Sequence, residues 1–358
     1  MLFLNNEDVE HVLNINDCMD AIEDAYKDLA EGQAVNFPEG GRMEVHTPSP
    51  GAERRRSYTW GAMAGLVRKA GVMAFRMKSD IEYELEHPGG LLTQEKYCVE
   101  PGTYCGLVLL FSIQNAEPLA IINDGIIQHI RVAATAGIAA KYLARADSET
   151  LAILGSGGMA RTHAAAVCAV RPIKRINVFS PTPSHREKFA EETRAKLEVE
   201  TKAVESPQRA VENADIVAAC TDSKLPVFEE KWVKPGMHLT RVLPAEFGSW
   251  IDSRADVIIR HLKAQPSGGP VRVNAGGDAH PTGHRLPALA FRDLPTLADL
   301  VSGKTQGRTR ADQVTFYYNS PGSGIQFAAA GAKAYELAKA QGLGRALPTE
   351  WFLQNIRD

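Results

Sequence analysis

Residues 151–160 read LAILGSGGMA, an apolar run that breaks on glycines and continues as a helical pattern. The spacing GxGxxA gives three small residues separate tasks. Gly155 permits a tight turn, Gly157 lets a pyrophosphate approach the backbone, and Ala160 lets helix and strand pack closely. With Ser156, Gly158 and Met159 they form a turn at a helix N-terminus, where free N–H groups and the positive dipole end attract anions. Strand, turn and helix in that order, followed by a second strand-like run INVFS, read as a dinucleotide-binding turn. The end of that second run selects the nucleotide. An acid there would bond the ribose 2′-hydroxyl of NAD(H). This chain reads SPTPSHREK instead, placing Ser180, Thr182 and Arg186 at that end. Hydroxyls and a guanidinium can bind a 2′-phosphate that a carboxylate would repel. NADP(H) is therefore favoured, with NAD(H) the alternative.

Such a turn needs a parallel sheet behind it. From Asp124 onward the runs IIQHIRVAATAGIAAKYLA, LAILGSG, INVFS, IVAACT, HLTRVL and DVIIR alternate with helical patterns starting near Met159 and Ser184. That alternation predicts a Rossmann-type α/β domain over 129–317, with right-handed crossovers. The earlier runs SYTWGAMAG, GVMAFRMK, GLVLLFSI and PLAIIND are short and separated by turn residues, which predicts a mixed or antiparallel sheet. A first helix carries Met19, Ile22, Tyr26 and Leu29 on one face, with Asn16 or Asp17 as its cap. A last helix over about 325–341 is expected to return to this sheet. The second domain, α+β, is then built from both chain ends, 1–128 and 318–358.

The 358 residues suffice for about two domains. A net charge of −3 gives no overall attraction to nucleic acid or an anionic membrane. Arg54, Arg55 and Arg56 read as a solvated loop. The five cysteines are odd in number and lack a CxxC pair, which argues against a disulfide framework and a thiolate zinc site. The start, MLFLNNEDVEHVL, has neither a basic segment nor a long apolar run, so a cytoplasmic protein without signal peptide or membrane span is expected. In NAGGDAHPTGHRLP the pair His280 and His284, near Asp278, is interrupted by Pro281 and Gly283. A loop without metal is the expectation.

The segment HIRVAATAGIAAKYLARADSETLAILGSGGMARTHAAAV resembles the centre of the ornithine cyclodeaminase/mu-crystallin family, in which a helix bearing Arg and Ala-Ala-Thr precedes the dinucleotide turn. GMHLTRV is similar to the family's PGxHxNxVG, and GKTQGRTRADQVTFYYNSPG to its GRTxxxxxTxFDSxG. The resemblance implies a homodimer whose N-terminal domain carries the substrate pocket and the subunit interface. It also implies hydride transfer between a nicotinamide and the α-carbon of an amino acid or imine. Arg42 matches the family's arginine for the substrate carboxylate, and Arg131 matches a second. Lys78 or Arg76 falls where the family has its pocket lysine, and residues two apart on a strand share a face. Thr221, Leu243 and Asn319 complete the expected cofactor contacts.

Two departures narrow the activity. Where cyclodeaminases of the family carry an aspartate, this chain reads VLPAEFGSW, making Glu246 the nearest acid and the candidate proton donor. The family's FDSxG becomes YYNSPG, with Asn319 for the aspartate. The expected activity is an imine or ketimine reductase or an amino-acid dehydrogenase, acting on a small amino acid, 2-oxo acid or imine. The alternatives are an ornithine- or lysine-type cyclodeaminase with tightly bound NAD, and a non-enzymatic, crystallin-like binding protein. The stretch EYELEHPGGLLTQEKYCVEPGTY adds carboxylates and reads as a longer lid.

Overall fold

The computed structural model describes residues 1–39, 41–50, 56–87, 90–263, 271–274, 293–319 and 322–356. Arg54, Arg55, Asp278, His280 and His284 lie outside the described residues.

The chain opens with β1 (Leu2–Leu4), α1 (Asn6–Val12), α2 (Ile15–Ala30), β2 (Ala34–Phe37), β3 (Met43–Pro48), β4 (Ser57–Val67), β5 (Val72–Glu86), β6 (Leu92–Cys98), β7 (Glu100–Pro101), β8 (Cys105–Ser112), β9 (Pro118–Asn123) and α3 (Gly125–Leu143). It continues with β10 (Thr150–Leu154), α4 (Gly158–Val170), β11 (Arg175–Phe179), α5 (Pro183–Leu197), β12 (Glu200–Ala203), α6 (Pro207–Val211), β13 (Ile216–Ala219), β14 (His238–Arg241), α7 (Ile251–Arg254), β15 (Val257–Arg260), β16 (Val271–Asn274), α8 (Leu297–Val301), β17 (Thr315–Tyr318), α9 (Gly324–Gln341) and β18 (Arg345–Ala346).

Two sheets result. The first runs β16-β3-β4-β5-β8-β9-β1-β18, with β2 on β4 and β6 on β5. Its centre is antiparallel, while β1 runs parallel to β9 and β16 parallel to β3. The second is parallel throughout, in the order β12-β11-β10-β13-β14-β17-β15. Strand β17, the last of its strands in sequence, inserts between β14 and β15 rather than sitting at an edge.

The sequence explains the joints. Helix α3 is buried from Ile130 to Ala140 and is rich in Ala and Gly. A Cβ on Gly137 would lie 3.0 Å from that of Ala166, so α3 and α4 pack at near-backbone distance. At the other end of the chain, α9 crosses β4 even more closely. A Cβ on Gly324 would lie 2.0 Å from the Ala64 carbonyl oxygen, and one on Gly65 2.3 Å from the Gly324 carbonyl carbon. No larger residue fits either side of that crossing without a backbone shift. Asn36 on β2 fastens it, accepting from Ser323 Oγ at 2.9 Å and from the Ile325 amide at 3.2 Å. Helix α2 starts earlier than its apolar spacing predicts. Asn14, not Asn16 or Asp17, is the cap and accepts from the Asp17 amide at 3.0 Å.

Candidate active site

The dinucleotide turn follows β10. Gly155 has φ +109°, and a Cβ there would lie 2.3 Å from the Cys220 carbonyl oxygen, so only glycine fits. Gly157 caps α4 and faces open space. A Cβ on Gly158 would strike the His129 ring, while Ala160 is fully buried beneath the turn. No side chain caps α4, so its first N–H groups are available to an anion. The Ser156 hydroxyl donates to Ser180 Oγ at 2.9 Å, and Arg186 Nη1 donates to the Ser180 carbonyl at 2.9 Å. Thr182 is exposed beside them. The end of β11 thus gathers hydroxyls and a guanidinium, and none of these contacts involves a carboxylate.

Beyond β13 and β14 lies Glu246, the candidate proton donor. It is fully buried and accepts from the Thr221 amide (2.5 Å), Thr221 Oγ1 (2.8 Å), the Val242 amide (2.8 Å) and the Leu243 amide (2.7 Å). Burial raises its pKa, and those four donors work against the rise. A carboxylate so engaged ties the two loops together and has little freedom to approach a substrate. Asn319 is likewise committed. Its Nδ2 donates to the Val132 carbonyl at 2.9 Å and its Oδ1 accepts from Thr135 Oγ1 at 3.1 Å, joining β17 to α3.

The cations predicted for the substrate come together around β5. This strand alternates strictly, and its inner face reads Val72, Ala74, Arg76, Lys78, Asp80, Glu82, passing from apolar core to charge. Arg76 and Lys78 share that face, with different partners. Arg76 Nε donates to Asp124 Oδ2 at 2.6 Å. Lys78 Nζ donates to Asp80 Oδ2 at 2.7 Å and to Glu82 Oε1 at 2.8 Å. Arg42 pairs with buried Glu44, which also meets His46 Nε2 at 3.2 Å.

Arg131 stands apart from these pairs. It is buried in α3 and its guanidinium lies 4.9 Å from the Phe327 ring centroid, with that of Arg76 at 5.0 Å from the same ring. Its guanidinium donates to neutral amides, Nη1 to Gln326 Oε1 at 2.7 Å and Nη2 to Gln128 Oε1 at 2.8 Å, and its Nε has no hydrogen-bond partner among the described residues. Burial first, and Arg76 second, lower its pKa to about 9. A carboxylate at this place would restore the balance.

Asp80, Glu82 and Asp124 were not singled out by the sequence reading. The signal for the first two was present, because the period of two that joins Arg76 to Lys78 continues through both acids. Strands β5 and β6 pair from Ile81 to Glu86 and extend to the loops of the parallel sheet, where Thr93 bridges Ser223. The Gln94 amide donates to the Asp222 carbonyl at 3.2 Å, and Lys224 Nζ meets Glu84 at 3.0 Å. Arg56, expected in solvent, lies 5.1 Å from the Tyr83 ring and donates to the Tyr97 hydroxyl at 3.1 Å, because a guanidinium stacks readily on aromatic faces.

Comparison with known proteins places this architecture. The profile of the ornithine cyclodeaminase/mu-crystallin family matches residues 96–342. The chain is 31% identical over 252 residues to a putative dehydrogenase of Rhizobium meliloti, covering 68% of this chain and 73% of that one. It is 29% identical over 246 residues to a Delta(1)-pyrroline-2-carboxylate reductase of Bacillus cereus, covering 68% and 74%. The solved structure of Thermococcus litoralis Delta(1)-pyrroline-2-carboxylate reductase, in complex with NADH and L-proline, is similar with a TM-score of 0.76 at 26% identity, over 97% of this chain and 100% of that one. The dinucleotide turn, the charged face of β5 and these likenesses agree, and the chain belongs to the ornithine cyclodeaminase/mu-crystallin family.

Proposed function

We propose that this NAD(P)-dependent oxidoreductase reduces the imine of an α-amino acid, with NADP(H) preferred to NAD(H). The observation that carries the reading is Arg131, a buried guanidinium bonded to two neutral amides and sharing the Phe327 ring with a second guanidinium, that of Arg76. Arg131 binds the substrate carboxylate, assisted by Arg42, and Lys78 faces the substrate nitrogen. Arg76 holds the head of α3 through Asp124. Bound at the glycine turn, the nicotinamide supplies or accepts the hydride. Glu246 acts as a positioning residue for the Thr221 and Leu243 loops. Its commitment to four donors supports reduction over cyclodeamination, which needs an acid or base free to move protons at the α-amino group. The test is a spectrophotometric screen of NADPH and NADH oxidation against cyclic imines and against 2-oxo acids with ammonia or methylamine. Ammonia release from ornithine and lysine is followed in parallel. Stoichiometric ammonia and proline from ornithine, without net cofactor turnover, would overturn the assignment.

The cofactor preference rests on Ser180, Ser156 and Arg186. NADPH is expected to bind more tightly than NADH. Ser180→Asp should reverse the order by about tenfold or more, through like-charge repulsion of the 2′-phosphate. Equal affinities in the unmodified protein, measured by fluorescence titration, would sink this idea.

The outer face of the first sheet supports a homodimer. Met73, Phe75 and Met77 on β5, Leu107 and Leu109 on β8 and Ile121 on β9 are half-exposed there and contiguous across the strands. An apolar sheet face of this kind is costly to leave in water. Light scattering should give twice the chain mass at micromolar concentration, and a monomer at that concentration would refute the interface.

A further inference from the structure

Two strands share one edge of β5. Residues Val72–Ser79 of β5 pair with β8, and residues Ile81–Glu86 pair with β6. Between β6 and β8 the chain leaves that edge and returns to it over residues 99–104. Val99 (φ 69°) and Gly102 (φ 91°) turn it, and β7 folds back on the end of β6. A cysteine stands at each side of the excursion, Cys98 where the chain leaves and Cys105 where it returns.

The register sets how near they are. Tyr97 is opposite Ile81 and Cys105 is opposite Ser79, two positions apart along β5 and so separated by about 6.6 Å. Cys98 follows Tyr97 into that gap, which places its Cα about 4–6 Å from that of Cys105, within the span of a disulfide. Backbone bonds close the excursion at the same point. The Cys98 amide donates to the Thr103 carbonyl at 2.8 Å, and Thr103 Oγ1 donates back to the carbonyls of Cys98 and Glu100. The two thiols already meet. Burial, then Cys98 through its charge and a hydrogen bond, raise the Cys105 pKa. Both are free thiols and part-exposed, whereas Cys18 and Cys220 are buried.

We propose that Cys98 and Cys105 form a modification site, a thiol pair that a hydroperoxide oxidises to a disulfide closing the excursion over residues 98–105. In the first step the Cys98 sulfur attacks the hydroperoxide. An S–O bond forms, the O–O bond breaks, and the leaving oxygen takes the thiol proton and departs as water or an alcohol. In the second step the Cys105 sulfur attacks the Cys98 sulfur. The S–S bond forms, the S–O bond breaks, and hydroxide leaves with the Cys105 proton as water. The two thiols lose two electrons and the hydroperoxide gains them. The new bond fastens the end of β6 to β8. Strand β6 carries Gln94, whose Nε2 donates to Glu82 Oε2 at 3.3 Å and whose amide donates to the Asp222 carbonyl at 3.2 Å. The disulfide therefore fixes one end of the strand that joins the charged face of β5 to the loop after β13. This holds whatever reaction the protein carries out.

The folded protein is treated with hydrogen peroxide, its free thiols are blocked with N-ethylmaleimide, and chymotryptic peptides are read by mass spectrometry without reduction. Tyr104 lies between the two cysteines, so cleavage after it leaves two peptides joined by the disulfide alone. The expected result is a Cys98–Cys105 link, undone by dithiothreitol, with Cys18, Cys168 and Cys220 outside any link. Cys105→Ser should instead leave a sulfenic acid on Cys98, trapped by dimedone. Hydrogen exchange at the amides of residues 92–98 should slow by about fivefold or more in the oxidised protein, and not in Cys105→Ser treated alike. Peroxide treatment that leaves both thiols open to N-ethylmaleimide, or that joins two chains through Cys105, overturns the site. A linked pair with unslowed exchange overturns the fastening of β6.

Discussion

Arg131→Met is expected to lower kcat/KM for imine reduction by about 30- to 1,000-fold while leaving NADPH affinity within about twofold. Removing one partner of a buried, charge-assisted carboxylate pair costs on the order of 2–4 kcal/mol, and each 1.36 kcal/mol is a factor of about ten in rate. The same substitution should leave the melting temperature unchanged or raised. Arg131 is a buried cation bonded to two amides, so its desolvation is uncompensated before substrate binds, and Met would pack against Phe327. Loss of activity without loss of stability separates a binding residue from a structural one. Arg131→Lys should rescue little, because an ammonium lacks the planar fork. Retention of kcat/KM within threefold would remove Arg131 from the substrate site.

The second large effect concerns acid. His163, His238 and His261 are fully buried, and burial lowers their pKa values to about 4, 3 and 3. The first two spend Nδ1 on Met159 O at 2.7 Å and Thr315 Oγ1 at 2.9 Å, and their Nε2 atoms have no hydrogen-bond partner among the described residues. Protonation would bury a cation without a mate. The folded-state values lie below the unfolded value of 6.5, so the unfolded chain binds the extra protons. Stability contributed by the neutral rings is present above pH 6.5 and is lost as pH falls toward the folded values. Each ring contributes a slope of about 1.4 kcal/mol per pH unit, and the three together about 4 kcal/mol per unit below pH 6. Glu246, raised by burial, works in the opposite direction, and Glu82 titrates too low to matter in this window. Urea denaturation between pH 7.5 and 5 should therefore show steep destabilisation. A slope equivalent to less than one proton would count against neutral, buried rings.

Much of this was legible in the sequence because it depended on local pattern. The turn Gly155–Ala160 sits between a strand and a helix as its spacing requires, and the alternation in β5 put Arg76 and Lys78 on one face. What the pattern lacked was partners. No local rule pairs Arg76 with Asp124, which lies 48 positions away and meets it only because β8 and β9 return alongside β5. That pairing gives different partners to two cations that the sequence left interchangeable. The surroundings of Glu246 were hidden for a related reason. Its position suggested a catalytic acid, but the amides of Thr221, Val242 and Leu243 converge on it only once two parallel strands lie side by side. Strand order was similarly hidden, since nothing in TFYY reveals that it slots between two earlier strands.

The glycine crossing of α9 over β4 has a consequence for how the chain comes into being. During synthesis the strands of the first sheet leave the ribosome early, but the helix that covers β4 is made near the end, after the whole parallel-sheet domain. At about 5–20 residues per second the early strands wait on the order of ten seconds or more for their cover. The parallel sheet can be completed in that interval, while the surroundings of Arg131, which include Phe327 and Gln326, cannot. A nascent chain arrested before Gly324 should therefore bind dinucleotide before it can bind substrate, and its unfinished sheet is the surface a chaperone would meet.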